Sequence, residues 1–274
     1  MFTLNCKGTL ITLEQPVVMG IINATPDSFF GASRAASSAA ALAKAETMIK
    51  EGAFVLDIGG QSTRPGSVQI GANEEMDRVA PVIESVKKAF PNTLISVDTY
   101  HPSVAVAAVN AGADIVNDIS GGRFFDNMLS TVASLTVPYI CMHSRGTIET
   151  MHEKPQSNNI ITELLDYFIE RIDACNQAGI KDIIIDPGFG FGKTIADNFA
   201  LLKELESLQI LRKPLLLGVS RKSSIYQTLK ITPEESLNGT TVLNTVGLMN
   251  KAMMLRVHDV KEATQAIQLY QMMK

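Results

Sequence analysis

Four residues with hydrogen-bond-accepting side chains close short apolar runs: Asp57 after residues 54–56, Asp98 after 94–97, Asn117 after 115–116 and Asp186 after 183–185. Carboxylates accept hydrogen bonds, and an amide both donates and accepts. Such a set can read the edge of a flat heteroaromatic ring that carries N–H donors. Any one of these residues could instead make a salt bridge or cap a helix; four at matching points of a repeating pattern predict one shared site. A second chemistry sits later in the chain. Ser220, Arg221, Lys222 and Ser223 open a helical segment after the seventh apolar run. A helix start offers free N–H groups, and with two cations beside it the segment reads as an anion site. Arg256 and His258, two apart on the eighth run, share one face. These two groups together predict a phosphorylated substrate.

Other segments are weaker as sites. Residues 186–194 read Asp-Pro-Gly-Phe-Gly-Phe-Gly-Lys-Thr, which resembles a phosphate loop until Pro187 occupies the place of its first glycine. The stretch reads instead as a glycine-rich turn that lets Phe191 reach the site, with Lys193 as a loop cation. His143 ends the fifth run without a second histidine at zinc spacing, so no zinc site is expected. His101 and His152 read as surface residues.

What must position these groups is a repeat of strand and helix. Apolar runs at 17–22, 54–56, 94–97, 115–116, 139–142, 183–185, 215–219 and 253–257 alternate with segments of helical spacing. The helical segments cover 37–51, 74–90, 103–111, 126–135, 160–177, 196–208, 233–250 and 260–273. Strand and helix in alternation predict a parallel sheet, and continuously apolar strands predict burial on both faces. Eight repeats favour closure into a (β/α)8 TIM barrel, whose active site lies at the C-terminal ends of its strands, over an open doubly wound sheet. Gly52, Gly112 and Gly179 follow helical segments and suit the left-handed residue that ends a helix. The first ~14 residues alternate like a short β-hairpin that could plug the barrel floor. Two connections are long, 24–36 and 59–73. They hold Asp27, Phe29, Phe30, Arg34 and Arg64 and read as lids.

Bulk properties bound the function. A chain of 274 residues, 46% apolar, with no break in composition, fits one barrel domain over 1–274. A formal charge of -4 argues against wholesale nucleic-acid binding. No apolar run approaches the ~20 residues that span a bilayer. The N-terminus lacks the shape of a signal peptide, so a cytoplasmic protein with reduced thiols at Cys6, Cys141 and Cys175 is expected.

The motifs resemble those of the dihydropteroate synthase family. Residues 23–29, Asn-Ala-Thr-Pro-Asp-Ser-Phe, resemble its first signature, and 59–66, Gly-Gly-Gln-Ser-Thr-Arg-Pro-Gly, its second. Segments 96–99, 117–119, 142–143, 186–193, 220–223 and 256–259 follow in the family's order and spacing, so the resemblance covers nearly the whole chain. It implies a transferase of folate synthesis that joins 6-hydroxymethyl-7,8-dihydropterin diphosphate to 4-aminobenzoate. Carried over by position, Asp98, Asn117, Asp186 and Lys222 would hold the pterin, and Arg256 would stack on it. Asn23 would bind Mg2+ with the diphosphate, assisted by Thr63, Arg64, Arg256 and His258. The aminobenzoate would lie against Phe191, the two lids and the helix starting near Ser223. Asp98, Asp186, Lys222 and Arg256 would carry the catalysis. The resemblance also implies a homodimer and a sulfonamide target. The chain departs from the family pattern in its lids, with Gly31 in place of an acid and Gln61 in place of glutamate. Two alternatives share the pterin pocket: a methyltetrahydrofolate–corrinoid methyltransferase and a non-catalytic pterin-binding relative.

Overall fold

The structure is a computed structural model that describes residues 1–24, 34–62, 69–147, 150, 153 and 158–273. Strands β1 (Phe2–Cys6) and β2 (Thr9–Leu13) form an antiparallel hairpin. The repeat then runs β3 (Val17–Asn23), α1 (Arg34–Lys50), β4 (Val55–Gly59), α2 (Ala72–Ala89), β5 (Leu94–Asp98), α3 (Pro102–Ala111), β6 (Ile115–Asp118) and α4 (Met128–Leu135). It continues with β7 (Tyr139–Met142), α5 (Ile160–Ala178), β8 (Ile183–Asp186), α6 (Ile195–Lys203), β9 (Leu216–Leu217), α7 (Ser223–Leu229), α8 (Leu237–Met249), β10 (Met254–Val257) and α9 (Val260–Gln271).

Strands β3 to β10 form one eight-stranded sheet in the order β8-β7-β6-β5-β4-β3-β10-β9. Its neighbouring strands pair in parallel. A parallel bridge from Ile185 to Leu215 joins the two edges, so the sheet closes into the expected (β/α)8 barrel. Closure leaves every strand covered by helices outside and by other strands' side chains inside. That is why the strands read as unbroken apolar runs.

Three expectations are corrected. The seventh apolar run is a strand only at Leu216–Leu217, because the chain turns away soon after, with Lys222 N donating to Val219 O at 3.2 Å. The first long connection is shorter than its composition predicts, because α1 already begins at Arg34. The helix expected over 196–208 stops at Lys203 and continues as a 3-10 turn, Leu205–Leu211. Gly112 and Gly179, in contrast, take the expected helix-ending role, with φ of 121° and 98°.

The core has two layers. One lies between sheet and helices and includes Ile22, Ile58, Val97, Phe168 and Leu217. The other closes the barrel floor. There Leu4, Cys6 and Leu13 of the hairpin pack on Met19, Val55, Ile115, Ile140, Ile184, Leu216 and Met254, at or near the strand starts. Asn5 N donates to Asp182 Oδ2 at 2.9 Å and Lys7 Nζ to Val109 O at 2.7 Å, holding the plug in place. The mouth at the other end is left for polar groups. No described helix is long and apolar enough to cross a membrane.

Candidate active site

Parallel register sets which polar groups become neighbours. Asn23 pairs with Gly59, Gly59 with Asp98, and Asp98 with Asn117, so four strand ends line one rim. Asp57 lies one rung deeper, opposite Ser96. Arg256, on β10, reaches across the barrel. Its Nη1 is 3.5 Å from Asp57 Oδ2 and 3.8 Å from Asp98 Oδ2, and its Nη2 is 3.8 Å from Asp186 Oδ2. Asn117 Nδ2 donates to Asp57 Oδ2 at 3.1 Å. Three carboxylates from three strands therefore surround one guanidinium, and the Asn117 amide of a fourth strand is bonded to one of them.

Asp57 is the member of the four to which the family resemblance assigned no role. The signal was present: a charge inside a wholly buried strand needs a counter-charge. Asn117 Oδ1, Asp186 Oδ2 and Arg256 Nε are buried and have no hydrogen-bond partner among the described residues. Unmet acceptors beside an unmet donor are costly unless a polar ligand completes them. This pattern suits a flat ring with donors and acceptors on its edge.

Burial pushes the carboxyl of Asp57 up, against the pull of Arg256. Burial, and next the neighbouring Asp57, push Asp98 up to about 8. Asp98 keeps 25% of its side-chain surface open toward the rim, so a ligand there can still exchange its proton. For Arg256, burial opposes the charge, but Asp186, Asp57 and Asp98 outweigh it and hold the guanidinium above its ordinary value. Burial and then Arg256 bring Lys222 down to about 8.

Lys222 caps the start of α7, and its Nζ stands 4.1 Å over the centre of the Phe191 ring. The loop that delivers Phe191 is only possible with glycine. Gly190 has φ 87°, and a Cβ there would press on Lys222 Cδ at 3.2 Å. This turn places the Phe191 ring, buried, beneath the Lys222 cation. Ser223, at the first turn of α7, follows Lys222 directly.

The expected anion set is divided by the structure. His258 receives burial as its main influence and is pushed down to about 4; its Nδ1 lies 3.0 Å from Ser220 Oγ, and its backbone N donates to the same oxygen. Arg221 is corrected. Its Nε and Nη2 donate to the two oxygens of Asp259 at 3.0 and 2.7 Å, so its charge is answered within the barrel wall. Thr63, Arg64, Asp27, Phe29, Phe30, Gly31 and His152 lie outside the described residues.

Lys193 is the loop cation expected, and it is buried, 1% exposed. One further reading changes: His101 is no surface residue, since its Nδ1 is 2.6 Å from the buried carboxylate of Glu75. Gln61, the departure in the second lid, donates from Nε2 to the Tyr100 hydroxyl at 2.7 Å. It is thereby tied to an aromatic group of Tyr100, Phe124 and Phe125 beside the mouth.

Comparison with known proteins agrees with this geometry. The family model for pterin binding enzymes matches residues 19–258. The dihydropteroate synthase of Escherichia coli strain K12 is 41% identical over 265 residues, covering 96% of this chain and 93% of its own. A dihydropteroate synthase of Xanthomonas albilineans, solved with 4-aminobenzoic acid, superposes with a TM-score of 0.91 at 40% identity, covering 99% of this chain and 97% of that one. A structure from the same organism in complex with 7,8-dihydropteroate gives a TM-score of 0.88 at 38% identity, covering 99% and 98%.

Proposed function

Because the chain belongs to the dihydropteroate synthases, transferases among the pterin binding enzymes, we propose that it joins 6-hydroxymethyl-7,8-dihydropterin diphosphate to 4-aminobenzoate. The products are 7,8-dihydropteroate and diphosphate. The observation that carries this reading is the guanidinium of Arg256, within 3.8 Å of carboxylates from three strands, beside the unmet oxygens of Asn117 and Asp186. Such a pocket matches a pterin, whose ring edge alternates N–H donors and acceptors.

In the reaction, the carbon–oxygen bond of the pterin methylene breaks and its electron pair leaves with diphosphate. Positive charge spreads from that carbon into the electron-rich ring, where Asp98 and Asp186 lower its energy. The aniline nitrogen attacks with its lone pair, forms the new carbon–nitrogen bond and sheds a proton that a diphosphate oxygen can accept. No strong general base is required. Lys222 and Arg256 hold the ring in place, and Thr63, Arg64, Arg256 and His258 attend the leaving group. Phe191, with Ser223 at the start of α7, forms the wall for the aminobenzoate. The reaction requires that water be kept from the site, since it would otherwise capture the cation.

The residues fit Mg2+ as the cofactor. Asn23 supplies a neutral oxygen at the end of β3. Mg2+ commonly takes few protein ligands and completes its shell with water and phosphate oxygens, which suits an ion that arrives with diphosphate. When bound, it neutralises the charge of the leaving group. The chain is further proposed to act as one barrel domain, as a homodimer and in the cytoplasm.

A coupled assay with the pterin diphosphate, 4-aminobenzoate and Mg2+ tests the reading. Dihydropteroate and diphosphate should form only when both substrates are present. A protein that binds pterin diphosphate in calorimetry but forms no product would be a binding relative, not an enzyme.

A further inference from the structure

Behind the site lies a buried polar cluster that the reaction does not use. Lys193 Nζ is 2.9 Å from Gly188 O, 3.2 Å from Phe191 O, 3.4 Å from His143 O and 2.8 Å from His143 Nδ1. These contacts are three carbonyls and one imidazole. Of the nearby carboxylates, Glu163 takes Arg145 Nε and Nη2 at 2.6 and 2.7 Å, Asp197 lies 3.3 Å from Arg145 Nη1, and Asp186 favours the charged Lys193 through space while its Oδ1 accepts from Gly188 N at 2.8 Å. Burying a cation without a direct carboxylate partner is costly, and an apolar side chain of similar length would fill the same space. What only an ammonium supplies is a fan of N–H donors.

That fan is spread on the loop that carries Phe191. Gly188, with φ 65°, packs so closely on the end of β7 that a Cβ there would collide with the His143 carbonyl. The loop has little backbone pairing of its own, chiefly Phe191 N to Gly188 O at 3.0 Å. Lys193 grips the carbonyls of both these residues, one at each end of that turn. The Phe191 ring carries Lys222 Nζ 4.1 Å from its centre. Lys193 therefore holds the loop by its carbonyls while Lys222 stands over the Phe191 ring.

We propose that Lys193 is a positioning residue: its buried ammonium clamps the glycine-rich loop so that Phe191 presents a fixed face to the aminobenzoate beneath Lys222. This rests on the function proposed above. The partner geometry also assigns a tautomer. For His143 Nδ1 to accept from the ammonium, the ring proton must sit on Nε2, which faces Glu163 Oε1 at 3.4 Å. Burial supports a neutral ring by pushing His143 down to about 3, and it brings Lys193 itself down to about 7. Other anchors of the loop do not involve Lys193 Nζ. Gly188 N donates to Asp186 Oδ1 at 2.8 Å and Gly190 N to Asn198 Oδ1 at 2.7 Å, so the fold does not hang on the clamp alone.

The experiment is steady-state kinetics of the full chain with Lys193→Met, alone and combined with Phe191→Ala, with calorimetry for pterin diphosphate. The expected result is a KM for 4-aminobenzoate raised about tenfold by loss of alignment, with pterin diphosphate affinity within about twofold. In the Phe191→Ala background, Lys193→Met should add little further to that KM, because the residue it acts through is gone. Should the Met variant fail to fold, Lys193→Gln, which keeps two donors, is measured in the same cycle with a smaller rise expected. An unchanged KM with only a lower melting temperature or a smaller active fraction overturns the proposal, as does full additivity with Phe191→Ala. A wild-type chain that forms no dihydropteroate overturns the function itself; a wild-type chain that turns over, with a variant whose KM matches it, overturns the clamp alone.

Discussion

Asp57 Oδ2 lies 3.5 Å from Arg256 Nη1, a contact that ties the second barrel strand to the eighth beneath the site. The same oxygen takes Asn117 Nδ2 at 3.1 Å, so Asp57 is the floor on which Arg256 and Asn117 rest. Replacing it by alanine leaves a buried guanidinium and a buried amide short of an acceptor. Arg256 keeps Asp98 and Asp186, so the loss stays below that of a fully broken pair. Chemical denaturation of Asp57→Ala should show about 2 kcal/mol lost. Asp57→Asn, which retains an acceptor oxygen, should lose clearly less. Equal losses in the two variants would mean that volume, not the acceptor, is what counts.

Lys222 is assigned to holding the pterin ring through the transition state, and Arg256 to the ring and to the departing diphosphate. Removing one such preorganised group commonly costs ~3 kcal/mol of barrier, or about a hundredfold in rate. Lys222→Ala and Arg256→Ala are each expected to lose at least that much in kcat/KM for the pterin substrate. Turnover near wild type with both substrates would refute the roles.

Asp98 gives the site a proton to exchange. Burial and Asp57 raise its carboxyl from 3.8 to about 8, so at pH 7 the empty site holds it protonated. A ring N–H donor bonded to this group favours the carboxylate. Pterin binding at pH 7 should therefore release up to about one proton per site, read as a dependence of the calorimetric heat on the buffer's ionisation enthalpy. Asp98→Asn should abolish the release. The same shift acts on stability. Between pH 4 and 8 the unfolded chain ionises at Asp98 while the folded one does not. The stability from this group is thus present below about pH 4 and lost as pH rises toward 8. Asp98→Asn lacks that loss, so its unfolding free energy should rise relative to wild type over this window. A flat difference between the two proteins across the window would sink the assignment.

The barrel was legible because its physics is periodic. Eight apolar runs ending in polar residues encode both buried strands and one mouth, and Asp98, Asn117, Asp186 and Arg256 do converge there. What stayed hidden depends on side chains meeting across the barrel, far apart in sequence. Asp57 and Arg256 are 199 residues apart, and nothing local marks them as partners. His101 looked like a surface residue because its partner, Glu75, lies on a different helix with a polar sequence. Lys193 was legible as a loop cation but its burial was not, because the glycines around it fold the loop back over its ammonium. The start of α1 was misplaced because an Arg-Ala-Ala-Ser-Ser opening carries no strong capping signal.

The tetrapeptide at 220–223 joins two adjacent cations whose fates differ, and this separates structure from chemistry in one segment. Lys222 faces Phe191 and the carboxylates of the mouth, whereas Arg221 is bonded through two nitrogens to Asp259 at the start of α9. The Arg221 side chain is 31% exposed and that of Asp259 17%, so solvent screens the pair and its worth is modest. Arg221→Ala should lose about 1 kcal/mol in denaturation, with turnover within a few-fold of wild type. Arg221 also holds φ 54°, a left-handed conformation that costs a non-glycine residue about 1 kcal/mol. Arg221→Gly removes the same ion pair but relaxes that backbone, so it should be more stable than Arg221→Ala. A hundredfold loss of turnover in both variants, with stability retained, would return Arg221 to the anion site that its sequence neighbours predicted.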